Sequence, residues 1–297
     1  MRTLLPVLAL VAVACTAGCA TTAPLPPKAI ALNHDGVTAL TAGDLETAEA
    51  RFAVAVEYNP RFTEAWVNLG LVDLWRGNLV LARKHFEKAR DLNADLPTPH
   101  HALGLLSDRA GLQPEAEKHY RAALKVDPGF SPARANLGRL LFDRGAIDEA
   151  REQFLRLTQV AGDALDGWLG LTESLGRLGR PDEADDVLAR ARERFGDTPA
   201  LMLLVARQRL RDGHTQEAEE ILGRLTTDAD RPRRGVAWAW MAITRLEQKD
   251  TQGALRAAAL ALEVNPEDAI ATYAVRAASP TAAERMPSQP GGQRLPR

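Results

Sequence analysis

Ala65–Asn93, AWVNLGLVDLWRGNLVLARKHFEKARDLN, is the stretch that decides the fold of this chain. Trp66, Leu69 and Gly70 fall on one helical face, Gly77 interrupts the pattern, and Ala82, Phe86 and Ala89 return on a second face at helical spacing. The stretch predicts two helices joined by a tight turn. A shift of the frame by 34 residues in either direction brings back the same residue types. The chain is therefore expected to be an array of one helix-turn-helix unit repeated along its length.

Seven units start at Ala29, Thr63, Pro97, Ser131, Leu165, Pro199 and Gly235, the last two residues late as though Arg233 and Arg234 were inserted. The eighth position reads Gly36, Gly70, Gly104, Gly138, Thr172, Ala206 and Ala242, and the twentieth is alanine in every unit, from Ala48 to Ala254. Small residues at both places let the two helices of a unit cross closely. The twenty-fourth position, Phe52, Phe86, Tyr120, Phe154, Leu188, Leu222 and Ala258, supplies bulk that one helix pair cannot bury alone, so the units are stable only when stacked.

The turn chemistry agrees. Gly43, Gly77, Gly111, Gly145, Gly179 and Gly213 stand where each first helix must stop, and Asp44 and Asn78 follow as expected helix caps. Pro114 and Pro181 sit in first turns, where a missing N–H costs little. Pro60, Pro128 and Pro266 close second helices.

Trp66, Leu69, Gly70, Ala82 and Phe86 resemble the W-x2-L-G and A-x3-F elements of the tetratricopeptide repeat, and the resemblance covers residues 29–268. It implies an all-α fold, a right-handed superhelical solenoid of about seven such units. Departures are local: Asp73 stands where the family has a tyrosine, Asp35 replaces a leucine, and units five and six lack the paired glycine, so they are expected to be less regular. Glu267–Ala278 fits one further helix, with Ile270, Tyr273 and Ala277 on one side, and reads as a capping helix over residues 269–279. The tail 280–297 is rich in Pro, Gly, Gln and Arg and is expected to be disordered.

At the other end, Met1 and Arg2 precede an apolar run from Leu4 to Ala14 and then small residues, the layout of a secretory signal over residues 1–18. The run Thr16, Ala17, Gly18, Cys19 resembles a bacterial lipobox, which implies that Cys19 carries the lipid of the mature chain; Thr16 departs from the leucine favoured there. Residues 19–28, with Pro24, Pro26 and Pro27, read as a lipidated, semi-rigid tether. Ala20 after the cysteine resembles outer-membrane sorting, so the expected location is the cell envelope, anchored to the outer membrane and facing the periplasm. Cys15 is the only other cysteine, so the mature chain has no thiol chemistry beyond its first residue.

No metal-binding, cofactor-binding or catalytic constellation is legible. His100 and His101 are adjacent, so on a helix they point about 100° apart, and no HExxH, phosphate loop or GxSxG occurs. The arginine-rich segment 176–234 holds 12 Arg and 12 Asp plus Glu and no Lys, so it carries no net charge. Pairs such as Asp186 and Arg190 fit i to i+4 pairing on solvated helices, and with a pI near 6.3 nucleic acid is excluded as the expected partner.

What remains is the groove that the family resemblance implies, lined by the first helices. In the early units it presents Val37, Val67, Leu71, Leu74, Trp75, His101 and Leu105, an apolar stretch in which Trp75 and Leu71 are the expected anchors. Later units present Arg139, Asp143, Glu173, Arg177, Arg207 and Arg211, and Arg207 and Arg211 share a face that could hold a carboxylate. Asn68 and Asn136 fall where family members use asparagine to hold a peptide backbone. The set of basic residues that would clamp a chaperone tail is missing. The same apolar residues have an alternative role, packing between neighbouring units. The expected function is a non-catalytic scaffold that binds protein partners in a cell-envelope machine, resembling the pilotin-like assembly factors of type IV pili and secretins. The alternatives are an adaptor for peptidoglycan hydrolases and a glycan or small-ligand component of an export system.

Overall fold

The structure is a computed structural model and describes residues 25–279. The signal sequence, Cys19, most of the tether and the tail 280–297 lie outside the described residues. The described residues form fifteen α-helices. They divide into two compact units, one ending at Gly162 and the other beginning at Asp163. The first unit carries α1 (Pro27–Thr41), α2 (Leu45–Tyr58), α3 (Thr63–Arg76), α4 (Leu79–Leu92), α5 (Pro97–Arg109), α6 (Gln113–Val126), α7 (Ser131–Asp143) and α8 (Ile147–Val160). The second carries α9 (Leu165–Arg177), α10 (Pro181–Phe195), α11 (Pro199–Arg211), α12 (Thr215–Leu225), α13 (Arg231–Glu247), α14 (Thr251–Val264) and α15 (Ala269–Ala278).

Within each unit every helix packs on the next, and first helices also touch across repeats, α1 on α3, α3 on α5 and α11 on α13. α1 begins at Pro27, so Pro27 and Lys28 belong to the first helix and not to the tether: proline's fixed φ suits a first helical turn. Asp44 caps α2 by accepting from the Thr47 N–H at 3.0 Å, whereas Asn78 makes no such bond to α4. α15 packs on α13 and α14 through Ala271, Ala274 and Ala278; Tyr273 points outward. The small-residue stripe wins because it lets α15 approach closely.

The recurrent core is a pairing of glycine with an aromatic ring. A Cβ on Gly36, Gly70, Gly104 or Gly138 would stand closer than 3 Å to the ring of Phe52, Phe86, Tyr120 or Phe154 in the partner helix. From the fifth repeat the volume is redistributed: the same two positions hold Thr172 with Leu188, Ala206 with Leu222, and Ala242 with Ala258. α9, α10 and α11 stay unbroken, so the missing glycine does not make these helices irregular. The irregularity expected of the sixth repeat is in its second helix, and it continues into the seventh. α12 is only 11 residues long, and α13 takes up Arg233 and Arg234 by starting at Arg231 and running for 17 residues.

Six turn glycines, from Gly43 to Gly213, have φ between 72° and 87°. In the seventh repeat the same place is held by Lys249 at φ 63°, the single non-glycine residue with positive φ among the described residues. A left-handed L-residue costs about 1–2 kcal/mol, more than the roughly 0.4–1 kcal/mol that glycine's freedom costs in the unfolded chain. Lys249→Gly is expected to raise the stability of the C-terminal unit by about 1 kcal/mol, read as a shift of its urea midpoint. An unchanged midpoint would mean that the turn carries no strain.

Candidate functional site

Three first helices, α3, α5 and α7, are each tied to the end of the preceding repeat through their fourth residue. The Trp66 indole donates to the Pro60 carbonyl at 2.9 Å, His100 Nε2 donates to the Ala94 carbonyl at 3.2 Å, and the Arg134 guanidinium donates to the Pro128 carbonyl. Three different side chains make one bond, which explains why His100 replaces a tryptophan without becoming a ligand. Asp73, which departs from the family pattern, is buried and meets His85 Nδ1 at 2.7 Å, joining α3 to α4 beneath the Trp66 ring at 5.5 Å from the imidazole.

The structure sorts the expected groove residues of the first unit into two groups. Val67, Asn68, Leu71, Leu74 and His101 are buried, between 1% and 6% exposed, and they pack between neighbouring first helices. Leu71 is thus a core residue, and the expectation of an accessible Leu71 anchor is corrected: the adjacent repeats close over it. Val37, Trp75, Leu105 and Asn136 are half-buried and Arg139 is exposed. Trp75 keeps accessible ring surface and makes no hydrogen bond to any described residue. Arg139 pairs with Asp108 at 3.3 Å.

The two asparagines read as peptide-backbone ligands bond to the preceding repeat instead. Asn68 Nδ2 donates to Asn33 Oδ1 at 2.9 Å, and Asn136 Nδ2 donates to His101 Nε2 at 2.7 Å. The His101 ring lies 5.7 Å from the Tyr120 ring and 5.6 Å from the Phe130 ring. Burial, with a smaller contribution from the Arg139 charge, pushes its pKa down to about 3, so it is neutral. Burial likewise holds the Tyr120 phenol protonated, and its hydroxyl has no hydrogen-bond partner among the described residues.

In the second unit, Arg207 and Arg211 do not converge on one ligand position. Arg207 pairs with Glu173 at 2.8 Å and lies 4.9 Å from the Trp240 ring centre, whereas Arg211 holds Asp185 at 2.8 Å and Asp212 at 3.2 Å. Asp185 thus pairs across to α11, and Arg190 lies over the Trp168 ring at 5.7 Å in place of an i to i+4 pair with Asp186. These charges knit neighbouring helices: Arg207 of α11 reaches Glu173 on α9, Arg211 reaches Asp185 on α10, and Arg190 of α10 rests on the Trp168 ring of α9. Among the described residues no group of three or more His, Cys, Asp or Glu could hold a metal ion. No described helix is long and apolar enough to cross a membrane.

Residues 36–97 and 114–172 each match a tetratricopeptide repeat family. The chain contains tetratricopeptide repeats. No curated protein sequence matches it. Solved tetratricopeptide structures share its fold at low identity. A tetratricopeptide repeat protein from Parabacteroides merdae aligns with a TM-score of 0.63 and 16% identity over 85% of this chain and 99% of that one. PilF of Pseudomonas aeruginosa aligns with a TM-score of 0.58 and 17% identity over 71% of this chain and 95% of that one. A chain of the Cut9–Hcn1 hetero-tetramer of the APC/C aligns with a TM-score of 0.55 and 15% identity over 84% of this chain and 42% of that one. Tetratricopeptide repeat proteins are in general non-catalytic scaffolds, and the fold here is a scaffold for protein–protein interaction.

Proposed function

We propose that this chain is a lipid-anchored scaffold of the outer membrane, held at Cys19 and facing the periplasm, that organises partners of a pilus- or secretin-type assembly machine. The observation that carries the reading is the lipobox-like run from Thr16 to Cys19, followed by a proline-rich spacer and then directly by the repeat array. Several acyl chains, at about 0.8 kcal/mol per buried CH₂, hold such a chain on a membrane without a spanning helix. The fold likeness to PilF of Pseudomonas aeruginosa adds support. Partners engage the first-helix face of the N-terminal unit, where Val37, Trp75 and Leu105 keep apolar surface beside the Arg139–Asp108 pair.

Trp75→Asp is expected to leave helical content and the unfolding midpoint unchanged while weakening partner capture at least about tenfold, since an interface tryptophan contributes well over 1.4 kcal/mol. Crosslinking and capture from the native envelope, beside a Cys19→Ser control, tests the whole reading. A secretin or pilus subunit that is recovered only with Cys19 intact supports it. Recovery of a peptidoglycan hydrolase, or of the same partners without Cys19, replaces it with an adaptor role. Capture that survives Trp75→Asp moves the binding surface elsewhere.

A further inference from the structure

The last repeat differs from the others on the side where α12 and α14 face each other across α13. A cleft of about 770 Å³ opens there, with Trp238 and Met241 in its floor, Gly223 and Glu220 on the α12 wall, and Arg256 and Ala257 on the α14 wall. Its origin is legible in the repeat register. The position of Ala257 is filled in repeats two to six by His85, His119, Gln153, Val187 and Ile221. In the second repeat that side chain packs on the tryptophan below it, His85 on Trp66 at 5.5 Å, and the Trp66 indole is satisfied by Pro60. Trp238 stands at the same repeat position as Trp66 and has neither partner. Its N–H is released because the lengthened start of α13 brings in Arg234, one turn earlier, which donates to the Asp228 carbonyl at 2.8 Å and so takes over the tie to the preceding repeat.

The cleft also carries two charges that make no direct pair. Glu219 and Arg245 are tied to each other, and Arg245 also to Asp250. Glu220 and Arg256, on opposite walls, make no ion pair or hydrogen bond to any described residue, and the Arg256 charge acts on Asp250 only at longer range. The floor residues Trp238, Met241 and Arg245 recur three and four residues apart, the spacing that a crossing helix meets with its own i, i+3 and i+4 side chains.

We propose that this cleft is a second docking site, independent of the first-helix face. Its occupant is an amphipathic helix of a partner protein. That helix lays apolar side chains on Trp238 and Met241, a carboxylate against Arg256 and a basic side chain against Glu220. The probe is a display library of 14-residue peptides, selected against the full mature chain carrying Cys19→Ser. Peptides with an apolar stripe flanked by one acid and one base should be enriched and should shift the tryptophan emission on binding. Their affinity should fall at least about tenfold for Arg256→Glu, a surface change, and for Ala257→His, which refills the cleft as His85 does in the second repeat. Trp75→Asp should leave it unchanged, which separates this site from the one proposed above. A library yielding no peptide sensitive to either Arg256→Glu or Ala257→His overturns the proposal. So does much tighter peptide binding by a chain ending at Ser279, because residues 280–297 would then be the occupant.

Discussion

Acidification from pH 7 to pH 4 is expected to remove on the order of 3 kcal/mol from the stability of the N-terminal unit through His101 alone. The folded imidazole has a pKa of about 3, and an unfolded one titrates near 6.5. Below about 6.5 the unfolded chain therefore binds a proton that the folded chain refuses. Stability falls by roughly 1.4 kcal/mol per pH unit until the folded pKa is reached, and above 6.5 the residue contributes no pH dependence. The geometry gives the cause: Nε2 accepts from the Asn136 amide, and Tyr120 and Phe130 exclude water from the ring. Protonation would set N–H against N–H in a closed site.

Urea unfolding at pH 7, 5.5 and 4, for the parent and for His101→Asn, measures this. The variant reproduces the Asn33–Asn68 pairing of the first repeats, so it should be folded, less stable at pH 7 because of the smaller side chain, and flatter with pH. Carboxylates titrate alike in both chains, so the difference between the two slopes isolates the histidine. Equal slopes would mean that the Asn136 amide turns over to present its oxygen and accommodates the charge.

Gly70→Ala should destabilise the same unit by about 2 kcal/mol, against the usual gain of about 1 kcal/mol for replacing glycine inside a helix. The added methyl would overlap the Phe86 ring, which is fully buried and has no space to retreat into. Phe86→Leu alone should also cost stability, by leaving a cavity. The double variant has the pair that the sixth repeat already uses, Ala206 with Leu222, and should be more stable than the sum of the two losses predicts, by about 1–3 kcal/mol. Additive losses in the double-mutant cycle would show that the glycine is needed for backbone approach and not for the ring.

The exchange of volume between these two positions was visible in the sequence as two columns of residues, and so were the period, the helix pairs and the turn glycines. All of these rest on interactions within one repeat, over spacings of three, four or sixteen residues, and a repeated unit shows them several times over. Accessibility is a different quantity. Leu71 and Trp75 stand on one stretch of α3 with similar apolar character, yet Leu71 is sealed by neighbouring repeats and Trp75 is not. Asn68 and Asn136 look free to meet a peptide until the residue 35 positions earlier is placed opposite each amide. Arg207 and Arg211 look like a pair until Glu173 and Asp185 take them separately.

The empty place above Trp238 could have been suspected from Ala257, since every repeat from the second to the sixth has a larger side chain at that position. That the indole N–H is also released could not, because it depends on Arg234 reaching the Asp228 carbonyl once two extra residues are wound into α13. The sequence by itself determined the helical array and its repeat, because those patterns are local and recur. Only the tertiary structure decided which faces of that array remain open, because each face is closed or left free by side chains of the adjoining repeat.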